Sequence, residues 1–234
     1  MNRKILFVTY GGGHSAMVLP VIKQLRLLAP ETDCLLLALT SAYATANKAG
    51  EQPFGYKDLL HLVDAKHALR WGESLLAGNS SPDVSREETV AYLGINYLDL
   101  IAQHGIDGAA DWYAKKGRYG FAPMHFMRRL IQSVQPDVVV ATNSPRSEEA
   151  ALAVSKEMEI PSVGMVDLFG LDSDTYVQRQ IKPDWTCVIA DSVRDRLIQR
   201  GFAPEGIRVT GNPAFDGLFV PRNLELADAF LVRK

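Results

Sequence analysis

The chain has 234 residues, 47% hydrophobic and 22% charged, with 25 Lys and Arg against 27 Asp and Glu. This composition excludes a disordered tail, a collagen-like repeat and a disulfide scaffold, and it suits one full α/β core. The formal charge of -2 and a pI near 6.2 argue against a general nucleic-acid binder, which needs a basic excess.

Residues 4–10 form a short apolar run that predicts a first strand and stops at Gly11-Gly12-Gly13. From Ser15 the apolar residues Met17, Val18, Val21, Ile22, Leu25 and Leu28 recur every three or four positions, predicting a helix that ends by Pro30. Residues 33–39 are a second apolar strand, so the chain opens with a βαβ unit and a parallel sheet. Residues about 65–134 carry no strand pattern and read as helices packed at one end of the sheet. Within them, Ser85 to Glu88 fits a capping box for a helix toward His104.

Asp137 to Thr142 is the next strand. Ser144 is the expected cap and Pro145 the expected first position of an Ala- and Glu-rich helix reaching about Glu159. Further strands are expected at 161–166, 185–190 and 207–210, with a helix from about Ser192 to Arg200 closing at Gly201. Continuous apolar strands alternating with helices predict a Rossmann-like, doubly wound parallel α/β sheet covered on both faces. Residues 1–217 form one domain in this reading, with the helical insertion at about 65–134. Residues 218–234 read as a linker and the start of a further, missing element.

Cys34 and Cys187 lie far apart in apolar runs and read as buried reduced thiols, neither a bridge nor a zinc site. No metal ligand set is expected among His61, His67, His104 and His125. No apolar run approaches the roughly 20 residues of a membrane span, and the N-terminus reads as a strand, not a signal peptide. A cytoplasmic protein is expected.

Ligands of open parallel sheets sit beyond the carboxyl ends of the strands. Four loops leave such ends here: 10–15, 142–147, 167–174 and 211–216. In the first, Gly11, Gly12 and Gly13 let the backbone approach a ligand, and the following helix offers free N–H groups to an anion or sugar oxygen. His14 at that mouth suits a general base; the alternative is a tight turn with His14 capping the helix. The spacing matches neither a dinucleotide fingerprint nor a P-loop. Asp167, ending a strand in an apolar setting, needs either a partner or a role. Arg146 and Arg179 are candidates for an anionic substrate, although surface placement is the commoner fate of an arginine. Residues 112–131 interleave five basic and five aromatic residues without an acid, reading either as a solvated helical face or as a surface for a phosphate-bearing, lipid-linked acceptor.

These residues carry a resemblance. Gly11-Gly12-Gly13-His14 followed by Pro20 resembles the first-loop motif of lipid-linked N-acetylglucosaminyl transferases and galactolipid synthases. Thr142-Asn143-Ser144 through Ala150-Ala151, then Ile160-Pro161 and Asp167, is similar to a stretch of non-hydrolysing UDP-N-acetylglucosamine 2-epimerases. So is Ala190-Asp191-Ser192 through Ile207 to Thr210, Gly211, Asn212, Pro213 and Asp216. Together they resemble the N-terminal domain of the GT-B superfamily of nucleotide-sugar enzymes, over residues 4–216.

The resemblance implies His14 near the acceptor or reacting sugar. It implies a substrate-facing set of Gly11, Gly12, Gly13, Ser15, Asn143, Ser144, Arg146, Arg179 and Asn212. Asn143 stands where the epimerases have a catalytic Asp, and Asp167 where they have a Glu. Arg179 falls near another epimerase carboxylate, and losing two of those carboxylate positions favours a transferase over an epimerase. The implied function is the acceptor-side domain of a glycosyltransferase in polysaccharide or glycolipid synthesis. The alternatives are a 2-epimerase half, or a non-catalytic subunit recruiting a partner to acceptor or membrane. No cofactor or metal is implied, only a nucleotide sugar, UDP-linked, as donor substrate. The implied partners are a missing C-terminal donor domain or separate donor subunit, a lipid-linked or glycan acceptor, and peripheral membrane contact, with no nucleic acid.

Overall fold

The computed structural model describes residues 3–79, 81–167 and 169–219. Six parallel strands form one sheet in the order β2-β1-β3-β4-β5-β6. They are β1 (Lys4–Thr9), β2 (Asp33–Ala38), β3 (Val138–Thr142), β4 (Ser162–Met165), β5 (Trp185–Val188) and β6 (Ile207–Val209). Along β1 the side chains alternate between two buried layers: Leu6 and Val8 enter one, Phe7 the other. Both faces are apolar because both are covered by helices.

Helices α1 (Gly13–Leu28) and α2 (Ser41–Lys48) lie on the Phe7 face, joined there by the turn Pro213–Phe219. The opposite face carries α3 (Ala65–Ser74), α4 (Arg86–Lys116), α5 (Met124–Val134), α6 (Ser147–Glu157), α7 (Thr175–Gln178) and α8 (Asp191–Gln199). The 65–134 helices therefore lie over a sheet face, not at one end of the sheet. They also supply the long crossover from β2 to β3. The expected element at 223–234 lies outside the described residues.

Helix α4 explains how this layer holds together. From Glu88 to Leu100 almost every residue is buried, polar ones included; such a helix must have neighbours on all sides. Beneath it are sheet residues, and above it runs α3. That contact is tight, since a Cβ on Gly94 would fall 1.8 Å from the Ala68 carbonyl oxygen. At Gly105 the backbone leaves helical geometry (φ 72°), and beyond it only Ala109 is buried.

The buried acids of α4 cap other segments. Ser85 accepts a hydrogen bond from Glu88 N at 3.2 Å, as a capping box requires, but the Glu88 carboxylate accepts from Tyr56 N (2.9 Å) and Lys57 N (3.0 Å) instead. Asp99 accepts from Phe126 N (2.8 Å) and His125 N (3.2 Å), satisfying N–H groups that open α5. Within the 112–131 segment, Phe121 and Phe126 belong to the core, while Trp112 and Tyr119 stay exposed.

Candidate functional site

The strand order reverses between β1 and β3, because the chain moves from β1 out to β2 and then returns to the other side of β1. Parallel pairing of Val8 with Ala141 and of Thr142 with Met165 brings three turns to the same end of the sheet: Tyr10–Gly13, Asn143–Arg146 and the one that begins at Asp167. This is the crevice in which open α/β sheets bind ligands.

The first turn is built by its glycines. A Cβ on Gly11 would fall 2.0 Å from Ser41 Oγ, so the residue is glycine to let the β2–α2 turn pass. Gly12, the N-cap of α1, has φ 68°, which a side chain disfavours. Gly13 opens the helix and faces the site: a Cβ there would lie 3.8 Å from Asp167 Oδ2. Ser15 is buried, and its hydroxyl donates to Gly12 O at 2.9 Å, so its role is to hold the turn. The N-terminus of α1 has neither a side-chain cap nor an acid in its first turn. His14 is therefore not a cap.

His14 and Asp167 are brought together. Burial lowers the His14 pKa below its ordinary value, while the Asp167 carboxylate pulls it back up. His14 Nδ1 and Asp167 Oδ1 are both buried without a hydrogen-bond partner among the described residues, and so is Asn143 Oδ1 at the end of β3. Three unpaired polar atoms at one sheet end are unusual in a folded interior, where such groups are normally bonded.

The second turn differs from expectation. Ser144 and Pro145 do not open the helix: Ser144 Oγ donates to Pro145 O, and Arg146 is the N-cap of α6 at φ 79°. The chain needs this extra turn to swing from β3 onto the sheet face, delaying the helix to Ser147. Arg146 Nη1 donates to Tyr92 Oη at 3.3 Å, and its guanidinium lies 5.0 Å from the Tyr10 ring centroid. Burial opposes the Arg146 charge, but Tyr92, Tyr10 and Glu148 more than offset it.

Arg179 is not on the surface. It is 5% exposed and stacked 3.9 Å from the Tyr176 ring centroid, with Nε donating to Tyr176 O. Both terminal nitrogens lack partners among the described residues, and burial pulls its pKa below the ordinary value. Asn212 is committed to its own turn, accepting from Ala214 N at 3.0 Å.

Sequence reasoning missed Glu148, which resembles any acid in a first helical turn. It is 1% exposed, accepts from Thr142 Oγ1 at 3.4 Å, and burial pushes its pKa up to about 8. Tyr10, Thr40 and Tyr92 were also missed, since single hydroxyl residues carry no spacing signal.

No protein-family model matches the sequence, and neither does any curated protein. Solved structures do match in fold. The UDP-GlcNAc 2-epimerase of Methanocaldococcus jannaschii aligns at TM-score 0.55 and 12% identity over 96% of this chain and 49% of its own. S. aureus MnaA, solved with UDP, aligns at 0.52 and 14% over 94% and 47%. The UDP-N-acetylglucosamine 2-epimerase of Rickettsia bellii gives 0.51 and 11% over 97% and 52%. The chain thus spans about half the length of the structures it matches. In fold, it is a single Rossmann-like unit, similar to about half of each of these structures.

Proposed function

We propose that this chain is the acceptor-side domain of a nucleotide-sugar-dependent glycosyltransferase acting in polysaccharide or glycolipid synthesis. The observation that carries the reading is the His14–Asp167 pair at the N-terminus of α1, with a buried, unpartnered atom on each. A histidine whose pKa is lowered by burial is neutral at pH 7 and ready to accept a proton. In the proposed step, His14 takes the proton of an acceptor hydroxyl as its oxygen bonds to the anomeric carbon of the donor sugar. The nucleoside diphosphate leaves in the same step, taking the electrons of its bond to the anomeric carbon. Asp167 steadies the imidazolium that forms.

The donor in this proposal is a UDP-linked sugar held by a second domain or subunit. The acceptor is a glycan or lipid-linked sugar, and exposed Trp112 and Tyr119 beside Lys115 and Lys116 offer a peripheral membrane contact. The 2-epimerase reading draws support from the names of the fold neighbours. Against it stands Asn143, whose amide cannot serve as the acid or base that elimination and re-addition require.

The test is to incubate the complete gene product with UDP-sugars, with and without glycan acceptors. Acceptor-dependent UDP release, abolished in His14→Ala, is expected. Conversion of UDP-N-acetylglucosamine to its C2 epimer without acceptor would establish the alternative. Absence of both reactions would reject both readings.

A further inference from the structure

The carboxyl ends of β1 and β2 border a cavity of about 300 Å³ that neither His14 nor Asp167 lines. Its walls include Tyr10 from the first turn, Thr40 and Ser41 leaving β2, Thr89 and Tyr92 of α4, and Arg118 beyond the end of α4. That volume lies at the bottom of the ~300–1,000 Å³ range of small-molecule sites. It suits one ring-sized polar molecule.

Two features of the walls define the ligand. First, Thr40 Oγ1 is buried without a hydrogen-bond partner among the described residues, while the residue is held at φ 55°, a conformation β-branched residues avoid. That hydroxyl lies beside Gly11, where the cavity wall meets the first turn. Second, the cavity end at Tyr92 is positive. Arg146 reaches the Tyr92 hydroxyl from behind, and Arg118 acts on the same phenol from the cavity side. Neither guanidinium forms an ion pair among the described residues.

Two acids also border the cavity. The Glu88 carboxylate is committed to Tyr56 N and Lys57 N, and Asp83 is exposed and unpaired with Arg118. The remaining chemistry is a cluster of hydroxyls and aromatic edges around a cationic end. Hydroxyls satisfy a polyol, tyrosines offer both apolar and polar contact, and a guanidinium fork fits a carboxylate or phosphate.

We propose that this cavity holds one sugar unit bearing a single anionic group, with Arg118 on the anion and Thr40 and Ser41 on the ring hydroxyls. The proposal rests on the transferase reading for its biological meaning, in which the bound unit is part of the acceptor. Its chemistry stands on the cavity alone.

The experiment is titration of the 234-residue chain with glucuronate, glucose 1-phosphate and glucose, read by calorimetry and saturation-transfer NMR. At least one anionic sugar is expected to bind about tenfold more tightly than glucose, the usual worth of a charge-assisted hydrogen bond. The preference between glucuronate and glucose 1-phosphate identifies the anion as carboxylate or phosphate. Arg118→Gln should erase the anionic advantage with the melting temperature unchanged, and Thr40→Val should weaken all three sugars alike. Equal binding of glucose, no binding of any probe, or an Arg118→Gln variant indistinguishable from wild type would overturn the proposal. If binding fails while acceptor-dependent transfer persists in the complete gene product, only the cavity assignment falls. If binding holds and no transfer occurs with any donor, only the transferase reading falls.

Discussion

Replacing Glu148 with Gln removes a carboxyl that is 1% exposed and faced by Arg146, Thr142 and the Tyr10 backbone N–H, with Arg179, Tyr56 and Tyr92 also within its field. Burial pushes its pKa up to about 8, overcoming the opposing pull of the α6 backbone, Arg146 and Thr142. The folded chain therefore keeps this carboxyl protonated at neutral pH, whereas the unfolded chain ionises it near the ordinary value of 4.5. Because the folded-state pKa is the higher one, stability is full below about 4.5 and is lost as pH rises through about 8. A shift of that size corresponds to on the order of 5 kcal/mol, and structural relaxation around the ionised group brings the expected loss to about 2–5 kcal/mol. The neighbouring phenols do not blur this window, since burial holds Tyr56 above its ordinary value and Tyr92 up to about 12. The assay is urea unfolding of wild type and Glu148→Gln at intervals from about pH 5 to about pH 9, comparing midpoints at equal slope. The variant should gain on wild type steadily up to about pH 8 and hold its lead beyond. Two parallel profiles across that range would refute the reasoning.

Three further outcomes follow from geometry already described. Gly94→Ala drives a methyl group to 1.8 Å from the rigid Ala68 carbonyl and should cost about 1–3 kcal/mol by urea unfolding; a neutral effect would mean that α3 is free to shift. Gly11→Ala meets Ser41 Oγ at 2.0 Å and should lower the melting temperature and also disturb the β2–α2 turn, read as amide shifts at Thr40 and Ser41. Asp167→Asn should move the His14 titration still lower, because it removes the one influence that raises that pKa while leaving burial in place. An NMR titration showing His14 unmoved or raised would separate the pair.

The parallel sheet was legible because its strands are continuous apolar runs; the switch point between β1 and β3 was not, since the order of strands along the chain does not give their order in the sheet. The first glycine turn was legible because glycines at a strand end have few other uses. Arg179 was not, since nothing in a single chain position announces that Tyr176 will lie under its guanidinium. The helix start at Ser147 was misjudged because Ser144-Pro145 is a good local signal that the path from β3 overrides. Glu88 and Asp99 illustrate the same limit: their carboxylates cap segments 26 to 32 residues away, a partnership set by packing and not by spacing. Local chemistry writes the strands and turns, while long-range contacts decide which polar groups are left free to act.

The break in α4 at Gly105 divides one helix into two populations of amide hydrogens. Those between Glu88 and Leu100 are enclosed by the sheet below and α3 above, and they exchange with solvent only when the whole layer opens. Those after Gly105, with Ala109 alone buried, exchange through local opening at far lower protection. The outer half of α4 is held by its rings and not by enclosure, Tyr113 packing on Tyr97 and Phe121 and Trp112 donating to Gly120 O, so its amides can open to solvent while its side chains keep it in place.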